Sequence, residues 1–209
     1  MRHVSNSLRF LSRQAPLASR LEALLRMWSQ PQRAYHDTEH LDRMLGATTW
    51  LADELDVRDP AVKVSLELAV WYHDAVYDAQ STDNEARSAD LARQSLGGLV
   101  PEATVEQVAR LVLLTAGHSV AEGDLEGCLV VDADLSILGA EPAVYDSYRG
   151  GVRAEYGHLD DATFIAGRSA FLRGMLERSR VFNTAPARLA WQAQAHENMA
   201  HELEALARS

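Results

Sequence analysis

Residues 66–78 read LELAVWYHDAVYD, an apolar run that closes on an adjacent histidine and aspartate, His73 and Asp74. A carboxylate beside an imidazole is costly in an apolar interior unless something compensates both groups. A divalent metal ion does so. Two other segments carry the same signature: His40 in YHDTEHLDRML (35–45) and Asp134 in LVVDADLSILG (129–139). A His, a His-Asp pair and an Asp, each inside an otherwise apolar segment, predict one metal site assembled from three separate helices.

The pattern around these segments is helical almost throughout. Leu21, Leu24, Leu25 and Trp28 share one face at 3.6-residue periodicity, and Pro31 then interrupts the chain. A second helix is expected from near His40 through Leu41, Met44, Leu45 and Leu51. Pro60, after Asp59, suits a first helical position and opens a helix through Val64, Leu68 and Trp71 to His73. Asp83-Asn84-Glu85 reads as a helix start and Gly97-Gly98 as its stop. Thr104 is placed as the cap of the next helix, which Gly117 ends beside His118. Leu129–Leu138 reads as a short, nearly all-apolar and therefore central helix. Pro142, Asp160-Asp161, and Thr184 with Pro186 open three more. The run Cys128–Val131 is equally readable as a buried strand. The sum is an all-α domain of roughly eight or nine helices over residues 1–209, with core motifs at 33–156 and C-terminal helices at 160–207 packing on them.

Composition narrows the function. With 209 residues, of which 47% are hydrophobic, the chain can build a sizeable core. Its formal net charge of −10 disfavours a nucleic-acid polymer as partner, because neutralising phosphates takes a basic stripe. A small phosphorylated molecule remains compatible, since a metal and a few arginines supply local positive charge. The single cysteine, Cys128, excludes an internal disulfide framework and a cysteine-rich zinc site. No membrane span or signal-type apolar core is readable, so a cytoplasmic location is expected. The last amphipathic helix can dock on the domain or on a partner, which leaves a homo-oligomer open.

Two imidazoles and two carboxylates suit manganese, iron, cobalt, nickel or zinc, and magnesium is also compatible. Asp132 competes with Asp134 as the last ligand, because two residues turn a helical side chain by about 200°. His36 is expected in the loop before its helix, either contacting substrate or capping. His118 is a candidate for substrate phosphate or a second metal, or a surface histidine favoured by a helix C-terminus. Glu85 and Asp78 are candidate acid–base groups, Glu85 equally a first-turn helix carboxylate. Arg33 and Arg153 are candidate phosphate clamps through the guanidinium fork, with Arg153 alternatively pairing with Glu155 or Asp146.

These motifs resemble the HD-domain superfamily of metal-dependent phosphohydrolases, whose signature is His, His-Asp and a distant Asp. They are most similar to an uncharacterised bacterial branch of predicted HD phosphohydrolases. The similarity is carried by Tyr35-His36-Asp37-Thr38-Glu39-His40, by His73-Asp74-Ala75-Val76-Tyr77 and by Asn84-Glu85-Ala86-Arg87-Ser88-Ala89, and it continues through Val152–Tyr156. The resemblance implies metal ligands at His40, His73, Asp74 and Asp134, and a histidine of the site at His118. It implies hydrolysis of a phosphoester by an activated water, with Asp74 both ligating the ion and orienting that water. Many members carry an acidic residue shortly after His-Asp, and here Tyr77 stands at that offset. A metal-holding, non-enzymatic ligand-binding or regulatory module of the same fold is the alternative.

Overall fold

The computed structural model describes residues 2–4, 6 and 15–208. Positions 1, 5, 7–14 and 209 of the expected 1–209 domain lie outside the described residues. Among the described residues nine helices of ten or more residues follow one another, and no strand occurs. They are α1 (Ala15–Trp28), α2 (Thr38–Glu54), α3 (Pro60–Tyr72), α4 (Asn84–Leu96), α5 (Glu102–Leu114), α6 (Leu125–Asp134), α7 (Pro142–Glu155), α8 (Asp161–Glu177) and α9 (Ala193–Leu206). A tight 3-10 turn, Leu135–Gly139, prolongs α6, and a wide π-helical stretch, Arg188–Gln192, leads into α9.

The boundaries have local causes. Asp37 caps α2 by accepting from the backbone N–H groups of Glu39 and His40. Asp59 caps α3 with Pro60 in its first turn, and Asp160 caps α8 through Thr163. Thr104 caps nothing: α5 starts at Glu102 behind Pro101, because proline cannot continue a helix backwards and fixes the entry itself. The expected single helix Leu129–Leu138 divides at Asp134, where the chain tightens into the 3-10 turn. Cys128–Val131 is helical and belongs to α6.

α3 is the central rod. It packs against α1, α2, α4, α5 and α6, and Leu66, Leu68, Ala69, Val70, Trp71 and Tyr72 are all buried. Each large apolar side chain removed from water contributes about 1.5–3 kcal/mol, so this stretch anchors one continuous core. α6 lies beside α3 and is equally buried from Leu129 to Ala133. α8 and α9 pack on each other, and α9 covers the 3-10 turn.

Two polar ties fasten this C-terminal layer. Asp132 accepts from the backbone of Asn183 and Thr184, at 2.7 Å each, and so holds the segment before α9. Between α8 and α9, buried Arg168 makes a two-pronged pair with Glu202 at 2.9 and 3.0 Å. Tyr145 donates to the same carboxylate at 2.6 Å, and Arg168 donates to the Tyr148 hydroxyl at 2.8 Å. No described helix is long and apolar enough to cross a membrane.

Candidate metal centre

α3 and α6 end at the same place. His73 follows the last residue of α3, Asp74 comes next, and Asp134 is the last residue of α6. Helix C-termini carry partial negative charge, so two carboxylates there compound an unfavourable field. His40, in the first turn of α2, completes the cluster from the third side. Ligand atoms of His40, His73 and Asp74 lie within 4.8 Å of one another, and all three residues are buried.

The two imidazoles face each other through Nε2, 3.0 Å apart. His73 donates its Nδ1–H to the Val70 carbonyl at 2.8 Å, which turns the lone pair of Nε2 toward His40. Asp74 Oδ2 stands 3.2 Å from His73 Nε2 and 4.0 Å from His40 Nε2. Asp134 Oδ1 stands 3.4 Å from His40 Nε2 and 3.9 Å from His73 Nε2. Four donors therefore converge with lone pairs inward, and only a proton or a cation can occupy the space between them.

The electrostatics follow from this crowding. Burial alone would raise both carboxylates; the surrounding imidazoles outweigh it and hold Asp74 and Asp134 well below the usual carboxylate range. Burial lowers both imidazoles, yet Asp74 and Asp134 push His73 up to about 9, while His40 falls below its ordinary value beside His73. The contact between the rings thus holds one proton. Among the four residues themselves, one proton faces two ionised carboxylates, with the Arg33 cation behind Asp74. A divalent ion in place of that proton would match the two carboxylate charges. The donor set fits such an ion.

The site has a closed floor and an open mouth. The side chains of His40 and His73 are 3% and 1% exposed, whereas those of His36, Asp134 and His118 are 22%, 15% and 19% exposed. His36 lies in the loop before α2, with Nδ1 on Glu155 Oε2 at 2.7 Å and Nε2 facing Asp74 Oδ2 at 3.9 Å. Burial lowers this imidazole, but the Glu155 carboxylate more than offsets it, and the ring sits above its ordinary value. His118 bonds Asp134 Oδ2 through Nε2 at 2.9 Å. Its backbone is left-handed, at φ 50°, a conformation costly outside glycine. Arg178 braces the turn by donating to the carbonyls of Gly117 and His118.

The remaining candidates fall elsewhere. Arg33 is buried, and its guanidinium is engaged by the carbonyls of His36, Asp74 and Ala75. Arg153 donates to the carbonyls of Tyr156 and Leu159 and to Asp161, closing the end of α7; it pairs with neither Glu155 nor Asp146. Glu85 sits in the first turn of α4, and Asp78 accepts from the backbone of Gln80, so neither is drawn into the cluster by a hydrogen bond. Asp132 faces the segment before α9, two residues and most of a half-turn away from the side of Asp134.

Glu155 escaped sequence reasoning. Its carboxylate accepts from the backbone N–H groups of Ala34, Tyr35 and His36 and from the Tyr77 hydroxyl. These donors, with His36, hold it at about 2 against the upward pull of burial. The approach of α7 needs Gly151, where a Cβ would lie 2.6 Å from the Ala34 carbonyl oxygen. The readable signal was a carboxylate in the last turn of a helix, against the dipole and hence in need of a partner.

The class defined so far is an all-helical domain whose His40, His73 and Asp74 form a cluster able to hold a metal ion. No model of a known protein family matches the chain, and neither does any curated protein or solved structure with which it was compared.

Proposed function

We propose that this chain is a metal-dependent phosphohydrolase of the HD type, acting on a small phosphorylated molecule. The observation that supports this reading best is the inward convergence of His40, His73, Asp74 and Asp134, whose lone pairs and charges call for a divalent cation. These four residues would hold the ion. When bound, it supplies Lewis-acid polarisation of a phosphoryl oxygen and a water made acidic near neutral pH.

The surrounding residues divide the rest of the work. Glu155 fixes the His36 tautomer by accepting its Nδ1–H, which leaves Nε2 at the mouth to hold or move a proton at the reacting group. His118, bonded to Asp134, lies on the same exposed side and can contact substrate oxygen. Trp28 and Tyr35 wall the floor and exclude water from the paired imidazoles, with Trp28 centred 5.3 Å from the His73 ring and Tyr35 4.9 Å from the His40 ring.

A second reading, a metal-holding module without turnover, draws on one observation: Arg33 and Arg153, the expected phosphate clamps, are both committed to backbone carbonyls. One experiment separates the two. Elemental analysis of purified protein is followed by a panel of phosphomonoesters, phosphodiesters and nucleotides with manganese, iron, cobalt, nickel, zinc and magnesium. Stoichiometric metal with turnover of at least one phosphoester is expected; metal without turnover selects the module, and absence of metal binding overturns both.

A further inference from the structure

We propose that Arg33 is a positioning residue of the metal site, fixing the distance between the loop that carries His36 and the turn that carries Asp74. The inference rests on the metal reading above and adds what keeps its two halves in register. His36 and Asp74 come from segments 38 residues apart in sequence, yet they must meet across 3.9 Å. One guanidinium spans that gap. Its Nη1 donates to the carbonyls of His36, at 2.9 Å, and Asp74, at 2.8 Å, and its Nη2 donates to Ala75 at 2.9 Å.

The cation is held by ring faces as well as by carbonyls. Its central carbon lies 5.2 Å from the Trp28 ring and 5.4 Å from the Tyr77 ring. Both rings continue into the site: Tyr77 stacks on His36 with centroids 4.2 Å apart, and Trp28 packs against His73. Its hydrogen bonds go to peptide carbonyls at the negative end of α3, and the Asp74 and Glu155 carboxylates act on its charge through space. Burial lowers its pKa, the cost of placing a cation there. A buried cation that grips the backbone of two site residues is badly replaced by lysine, whose single ammonium lacks the planar fork.

Cobalt(II) is the probe. Its visible absorption bands report ligand geometry, and titration gives its affinity. The comparison takes in the natural chain, Arg33→Lys, Arg33→Ala and Arg168→Met, whose arginine is equally buried but lies in the α8–α9 tie. Both Arg33 variants are expected to shift the bands and to weaken cobalt binding by about ten- to a hundredfold. Guanidinium ion at low millimolar concentration should restore the Arg33→Ala bands, and methylammonium should not. Arg168→Met should melt earlier with unchanged bands. Natural-type bands and affinity in both Arg33 variants, or equal rescue by methylammonium, overturn the proposal while the metal reading stands. Failure of the natural chain to bind cobalt overturns the metal reading itself and this inference with it.

Discussion

Around Glu202, the charges are matched by hydrogen bonds: a guanidinium grips both carboxylate oxygens, one tyrosine donates to it, a second tyrosine takes the remaining arm of Arg168, and Arg149 stands 3.6 Å away. Around His40 and His73, burial is as deep, but two imidazole nitrogens share one proton and a carboxylate stands 3.2 Å from one of them and another 3.4 Å from the other. The first cluster is complete as it stands. The second could also hold a metal ion. Depth of burial therefore does not separate the two clusters; the pairing of donors with acceptors does.

That contrast can be broken in several ways. The largest effect expected is from Asp74→Ala, which removes a carboxylate from the open cluster. Metal content should fall to background while the helical circular dichroism is kept, and unchanged metal content in this variant contradicts the assignment. Next in size is Glu202→Gln in the closed cluster. Leaving Arg168 short of its counter-charge should cost about 3–5 kcal/mol in urea unfolding, with metal content untouched. A loss of metal there would mean that the two clusters are one unit.

A smaller effect concerns pH. Below about 9 the His73 ring of the metal-free chain is protonated, so an ion must displace that proton to bind. Affinity should accordingly rise by about tenfold per pH unit between neutrality and that value, then level off. A flat profile by titration calorimetry would remove the proton from the account. The smallest effect comes from the paired glycines of α7. A Cβ at exposed Gly150 meets nothing within 4 Å, so Gly150→Ala should stabilise by about 0.5–1 kcal/mol. Gly151→Ala should do the opposite, since it drives α7 off the loop that Glu155 holds; a gain in melting temperature would refute that role for the close approach.

Much of the fold was legible because its signals are local. Proline at 60 and 142, aspartate at 59 and 160, the glycine pair at 97–98 and the 3.6-residue stripes mark ends and faces within a few residues. The errors were also local. Thr104 competes as a cap with Pro101, and an apolar run of the length of Leu129–Leu138 does not reveal a tightening from α to 3-10. The inner cluster was legible for another reason: histidine and aspartate inside apolar segments need compensation wherever the chain goes. The supporting residues were not. Arg33 and Glu155 are defined by partners about forty and 120 positions away, down to the carbonyl or N–H they touch. No periodicity encodes such a meeting, and an exposed-looking arginine near a site reads as a phosphate clamp until its neighbours close over it.

Trp28 adds an optical consequence. It is one of four tryptophans, fully buried, with its ring 6.1 Å from His40 and 5.3 Å from His73. An open-shell ion between those imidazoles would quench Trp28, and Trp71 two residues before His73 with it, whereas a closed-shell ion such as zinc would not quench them by that route. The chain thus carries its own reporter beside the site, and the choice between ions can be followed in the ultraviolet emission of unlabelled protein.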